Sequence, residues 1–266
     1  MPREITAFSN PLIKRARSLR DKKHRRREGL FLAEGLRILS EAEESGRLPS
    51  EIFFTEDSES HPRAKALIDA TEQAGGEAIR TSRAILTKLS GKDNPQAVVG
   101  IYPEFDLSLD ALDRDSAQIW LVAQALRDPG NLGTMLRTGD AVGAGGLILI
   151  DDCADPFSVE AVRASMGALF TLGLAAAPWT EFLAWLRAGK GQLIGTSLDT
   201  DLDYQEPRYE KPVFLLVGNE SAGLPADYAA ACDLLVKMPM MGKADSLNAA
   251  VATAVMAYEA LNQFRR

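Results

Sequence analysis

Three short polar segments in the last 140 residues of this 266-residue chain carry residue types from which a reactive site can be built. They are Asp128-Pro129-Gly130-Asn131-Leu132-Gly133 with Arg137 following, Gly218-Asn219-Glu220, and Ser246-Leu247-Asn248. Each borders an apolar run. In an alternating α/β chain such segments collect at one edge of the sheet, where ligands bind. Pro129-Gly130 makes a turn, and Asn131 can cap the helix that follows, whose free N–H groups form an anion-friendly terminus. Glu220 comes directly after an apolar strand, where a carboxylate is costly unless paired. Arg137 is its natural partner. Lys237-Met238-Pro239-Met240-Met241-Gly242 is a strand end running into a glycine loop, after which Ser246 opens a helix as its N-cap. Taken singly, each segment also reads as plain structure: a capped helix, an exposed arginine, a surface ion pair. Capping alone does not explain all three together in this order.

Other chemistries find no support. Gly143-Ala144-Gly145-Gly146 follows a helix and precedes a strand, the reverse of a dinucleotide loop, and reads as a helix stop. No GxxxxGK[ST] phosphate loop is present. Two cysteines, Cys153 and Cys232, and two histidines, His24 and His61, argue against structural zinc, a catalytic metal and a disulfide scaffold.

The elements that must position these residues fall into two groups. Residues 29–102 read as a small α/β unit, with helices at 34–45 and 62–74 and strands at 52–54 and 97–101. Residues 103–116 are polar and acidic and read as a linker. From 117 the pattern changes to short unbroken apolar runs at 119–122, 147–150, 193–195 and 213–217, suited to strands buried on both faces of a parallel sheet. Helical stretches at 132–142, 159–170 and 182–188 lie between them, giving βαβα order. The C-terminal helix carries Leu247, Val251, Val255, Tyr258 and Leu261 as an apolar stripe, read as its buried face.

Charge is distributed unevenly. Residues 14–27 hold nine Lys/Arg against one Asp, a local +8, so the rest of this −7 chain carries −15. The run reads as a basic N-terminal arm over residues 1–28 that contacts phosphates through Lys22, Lys23, Arg25, Arg26 and Arg27. The start has no apolar leader, and the longest mostly apolar stretch, 167–179, is too short for a membrane span. A reducing cytoplasm is the expected compartment.

At this point the residues resemble a family. DPGNLGTMLRTGDAVGAGG, DPFSVEAVRASMGALF, FLLVGNESAGLP and KMPMMGKADSLNAAVATAVMAYEAL, in that order, look like the SpoU family of RNA 2′-O-ribose methyltransferases within the SPOUT superfamily. Leu30-Phe31-Leu32-Ala33-Glu34-Gly35 and the unit to Ile101 are similar to the ribosomal-protein-like substrate-binding domain that precedes it in many members. The resemblance implies a mostly parallel α/β sheet over 117–266 with a trefoil knot. It also implies S-adenosylmethionine as methyl donor, a homodimer whose site takes residues from both subunits, and rRNA or tRNA as substrate. Transferred by motif, Asn131, Arg137, Glu220, Ser246 and Asn248 are the expected catalytic residues. Thr196, Gly218, Asn219, Met238 and Leu247 fall where the family places its cofactor loops. Arginine keeps its proton at a pKa above about 12, so Arg137 suits a phosphate clamp and stabiliser of the forming alkoxide better than a base. The base is left open among a phosphate oxygen, water and Glu220. Two other readings stay in view: a non-catalytic RNA-binding or assembly protein that kept the fold, and a knotted enzyme that methylates a base.

Overall fold

The computed structural model describes residues 2–91 and 97–266. The chain divides into two compact units, Met1–Phe105 with Asp155–Thr171, and Asp106–Ala154 with Leu172–Arg266.

The first unit runs β1 (Arg3–Ile5), α1 (Pro11–Ser18), α2 (Lys22–Glu28), β2 (Leu30–Glu34), α3 (Leu36–Glu44), β3 (Glu51–Phe54), α4 (Glu56–Glu59), α5 (Pro62–Gln73), β4 (Glu77–Thr81), α6 (Arg83–Ser90) and β5 (Val98–Pro103). The sheet order is β1-β4-β3-β5-β2, with β1, β4 and β3 parallel and β5 antiparallel to both neighbours. The basic run is not a separate arm. It forms α1 and α2, capped by the side chains of Asn10 and Asp21. Ile13, Ala16 and Leu19 recur at helical spacing beneath the charges and sink into a core with Phe53, Ile79 and Leu86. Residues 155–171 complete this unit as α8 (Val159–Ser165) and α9 (Ala168–Thr171). The single helix expected over 159–170 breaks at Met166 and Gly167, both at positive φ (54° and 108°). Phe157 and Phe170 pack against Phe31, at ring separations of 5.0 and 6.0 Å, and burial of each ring contributes about 1.5–3 kcal/mol. Arg163 donates to Glu34 at 2.7 Å.

The second unit carries β6 (Ile119–Gln124), α7 (Pro129–Val142), β7 (Gly146–Ile150), β8 (Gly173–Ala177), α10 (Trp179–Arg187), β9 (Gln192–Thr196), β10 (Val213–Val217), α11 (Ala226–Ala231), β11 (Leu234–Val236) and α12 (Ala249–Arg265). All six strands are parallel, in the order β11-β9-β10-β6-β7-β8. The four apolar runs read as buried strands are β6, β7, β9 and β10. Residues 106–116 belong to this unit: Leu109 is buried and the Ala176 N–H donates to the Leu107 carbonyl. Gly143 ends α7 in the left-handed conformation (φ 67°), the helix stop read from the sequence. Strand order grows from β6 through β8 in one direction and then resumes on the other side of β6. The two directions meet where β6 and β10 lie side by side, the crevice in which open α/β sheets bind ligands.

Helix α12 reverses the expected orientation. Its buried residues are Ala249, Ala250, Ala252, Thr253, Met256, Ala257 and Ala260, and the helix packs on α7, β10 and β6. Small side chains allow that close approach. Of the five residues expected to be buried, Val251 and Tyr258 face outward, each 48% exposed, Val255 and Leu261 are half-buried, and Leu247, 40% exposed, precedes the helix. Among the described residues, no helix is long and apolar enough to cross a membrane.

Candidate active site

Three chain segments meet at the carboxyl ends of β6, β9 and β10. The first is the turn into α7. Asp128, not Asn131, is the N-cap, its Oδ1 accepting from the Asn131 N–H at 2.6 Å. Capping by Asp128 frees the Asn131 side chain for other contacts. The same substitution of roles occurs at α12, where Asn248 rather than Ser246 is the cap. Its Oδ1 accepts from the N–H groups of Ala250 and Val251 at 2.9 and 3.3 Å.

Those caps fix a chain of side-chain hydrogen bonds. Backbone N–H groups can only donate, so the Asn248 oxygen is committed to α12 and its amide nitrogen must point away. That nitrogen donates to Asn131 Oδ1 at 2.9 Å. Asn131 Nδ2 is then turned toward Glu220 and donates to its Oε1 at 3.2 Å. One residue from each of the three segments therefore joins a single directed chain, Asn248 to Asn131 to Glu220.

Arg137 stands outside it. Among the described residues no ion pair joins it to Glu220, which overturns the expected pairing. Strand β10 ends at Val217, and Glu220 is exposed rather than buried, so its carboxylate needs no partner there. Arg137 lies on the exposed side of α7, six residues beyond Asn131. Helical geometry puts it about 9 Å along the axis and about 120° around from Asn131. Ser246 is also exposed, with Oγ 3.5 Å from Asp245 Oδ1.

Beside the chain lies a cavity of about 370 Å³, within the ~300–1,000 Å³ range of cofactor sites. Thr196, Gly218, Asn219, Met238 and Leu247 all line it, as do Glu220 and Ser246. Gly218 is required there, because a Cβ at this position would lie 2.5 Å from the Gly223 backbone. Asp199, Leu224 and Asp245 also line the cavity and were missed in the sequence. Asp199 offered a faint signal, an acid just past the end of an apolar strand. On α11, Tyr228 donates to Asp151 Oδ2 at 2.8 Å and stacks on Trp179 at 4.0 Å. Burial, and then that carboxylate, push its phenol up to about 12, so it acts as a donor at neutral pH.

The expected RNA-contacting residues divide. Lys22, Lys23, Arg26 and Arg27 are exposed, with Arg27 paired to Glu28 at 2.9 Å. Arg25 is corrected: it is 2% exposed, and its guanidinium donates to the carbonyls of Leu19 and Arg20 and to Asp155. It has no free face for a phosphate. Among the described residues, no cluster of His, Cys, Asp and Glu could hold a metal ion.

Comparison with known proteins adds an independent line. Residues 118–258 match the SpoU rRNA Methylase family, and residues 10–100 match the MRM3-like substrate binding domain. The chain is 30% identical over 258 residues to the 23S rRNA (guanosine(2553)-2′-O)-methyltransferase RlmP of Bacillus subtilis, covering 96% of this chain and 98% of that one. It is 32% identical over 255 residues to the 23S rRNA (uridine(2479)-2′-O)-methyltransferase of Streptomyces viridochromogenes, covering 92% and 87%. Among solved structures, an AdoMet-bound rRNA methyltransferase from Sinorhizobium meliloti superposes with a TM-score of 0.91 at 37% identity, covering 98% and 97%.

Proposed function

The chain belongs to the SpoU rRNA methylase family, and we propose on that premise that it transfers a methyl group from S-adenosylmethionine to a ribose 2′-hydroxyl of ribosomal RNA. The observation that carries this reading is the directed chain from Asn248 through Asn131 to Glu220 along the rim of the cavity. A retired enzyme that only bound RNA would have no need for three polar residues from distant segments to orient one another. The cavity suits the donor, since apolar Leu224, Met238 and Leu247 stand among exposed loop backbone at the ends of parallel strands. Thr196, Gly218, Met238 and Leu247 would hold it. When bound, S-adenosylmethionine supplies a methyl group already activated on a positive sulfonium. The chain's own residues then have two tasks, aligning the ribose and managing charge as the hydroxyl loses its proton. Asn131, held from both sides, is preset to orient a hydroxyl. Arg137 binds phosphate and stabilises the developing oxyanion. Glu220 holds Asn131, and its other oxygen is placed to take a proton.

Arg137 and the Asn131 chain do not converge within one subunit, and α12 presents an apolar face. Both observations support a homodimer that completes the site. The family's knot is the path we assign to the C-terminal segment around the cavity, and the cytoplasm is the compartment we assign. The first unit, Met1–Phe105 with Asp155–Thr171, takes the RNA-binding role, and the second, Asp106–Ala154 with Leu172–Arg266, the catalytic one.

Incubation with tritiated donor and total ribosomal RNA, followed by nucleoside analysis, tests the reading. Label in a 2′-O-methylnucleoside is the expected result. Label on a base, or none despite RNA binding, would replace it with one of the two other readings. The exposed charges of α2 give a second expectation. Replacing Arg26 and Arg27 with Ala should flatten the salt dependence of RNA binding. Each lost phosphate contact should reduce the log–log slope by about 0.7–0.9. Binding isotherms across salt concentrations measure it, and an unchanged slope would show that this helix faces solvent alone.

A further inference from the structure

We infer that Asn219 is a positioning residue, which shapes the catalytic rim through Ala125 instead of contacting the donor. The inference rests on the methyltransferase reading above. Asn219 lines the cavity, but its side chain is turned into the protein. Its Oδ1 accepts from the N–H groups of Ser221 and Ala222 at 3.0 and 3.1 Å. Both acceptor sites of that oxygen are thereby filled. Its Nδ2 donates to the Ala125 carbonyl at 2.9 Å. The residue therefore closes its own loop with one end and grips the exit of β6 with the other.

The residue it grips is strained. Ala125 has a φ of 48°, a region disfavoured for any residue with a Cβ. Such a conformation persists only where the surroundings over-determine it. Ala125 is held on one side by its N–H, which donates to the Ile150 carbonyl at 3.0 Å, and on the other by Asn219. Three residues later Asp128 caps α7, and Asn131 follows. The direction in which the chain leaves Ala125 thus sets where Asn131 sits. Glu220, adjacent to Asn219, receives the Asn131 amide. Residues 219 and 220 bridge the same two strand exits twice, once at Ala125 and once at Asn131. If the first bridge is lost, Ala125 can relax to negative φ and carry the turn away from Glu220.

The test separates gripping from donor contact. Asn219→Ser keeps a shorter acceptor for the Ser221 and Ala222 N–H groups but cannot reach Ala125. Misplacement of a reacting group by about 1 Å costs up to about 10²-fold in rate. Asn219→Ser should therefore lower kcat at saturating RNA by roughly 10–100-fold and shift the Kd for S-adenosylmethionine, read by calorimetry, by no more than about threefold. Ala125→Gly in the same chain should restore most of the lost kcat, because glycine takes a φ near 48° without a partner to enforce it. Thermal melting of both chains confirms that folded protein is compared. A donor Kd that weakens in step with kcat, or a double variant no faster than Asn219→Ser, would overturn the role. A wild-type chain that binds no donor and transfers no methyl would instead remove the reading beneath it.

Discussion

Arg137→Ala is expected to slow methyl transfer by roughly 10²–10³-fold, the loss typical of removing one preorganised group that stabilises developing charge. The fold should not register the change. Arg137 is exposed on α7, and among the described residues it has no ion-pair partner to leave behind. Surface substitutions of this kind stay within about 0.5 kcal/mol in stability. Donor affinity should also hold, because Arg137 does not line the cavity. Loss of rate at saturating RNA, with unchanged melting temperature and donor Kd, would thus isolate an effect on the transition state. Arg137→Lys should remain slow. Lysine keeps the charge but loses the planar fork that grips a phosphate from two directions. Single-turnover transfer from tritiated donor measures both variants. Near-wild-type turnover in Arg137→Ala would reduce Arg137 to an exposed helix residue.

The sequence disclosed the sheet more readily than the site. Strands β6, β7, β9 and β10 are buried on both faces, so they appear as unbroken apolar runs. Strand β8, Gly-Leu-Ala-Ala-Ala, has no β-branched residue and passed as part of an apolar stretch. Strand β1 is three residues long and carries its apolar side chain only at Ile5. The polar motifs could be found by type and order, but not their partners. Ser246 and Asn131 looked like caps because local preference rewards both, whereas Asn248 and Asp128 fill those places. The difference is functional: a capping Asn131 would have no side-chain oxygen left to accept from Asn248. Pairing Glu220 with Arg137 assumed a carboxylate buried at the strand end, whereas Glu220 is exposed beyond the end of β10, and it overlooked the nearly two helical turns between Asn131 and Arg137. Arg25 shows the same limit. Nothing in a run of basic residues marks the one that turns inward to Asp155, 130 positions away.

Helix α12 supplies the other large expected effect. Replacing Val251 and Tyr258 with Glu should convert a dimer to monomers and abolish methyl transfer, with the subunit still folded. Hydropathy reads this helix inside out, since large side chains score as core and alanines as filler. In the structure the alanines pack on α7 and β10, while Val251 and Tyr258 are each 48% exposed. A row of large apolar side chains left outward on a helix beside the active rim is a surface waiting for a partner, and a second copy is the partner that would also bring another Arg137. In a two-fold interface each substitution enters twice, so four carboxylates would be forced together with their solvation lost. Weakening of association by 10³-fold or more is expected, about 4 kcal/mol. The monomer itself should tolerate the change, because both positions already meet water. Analytical ultracentrifugation reads the association, circular dichroism the fold, and tritium transfer the activity. If the double variant sediments as the wild type does and keeps its turnover, the outward face of α12 is not the dimer interface, and Arg137 must reach its substrate from within one chain.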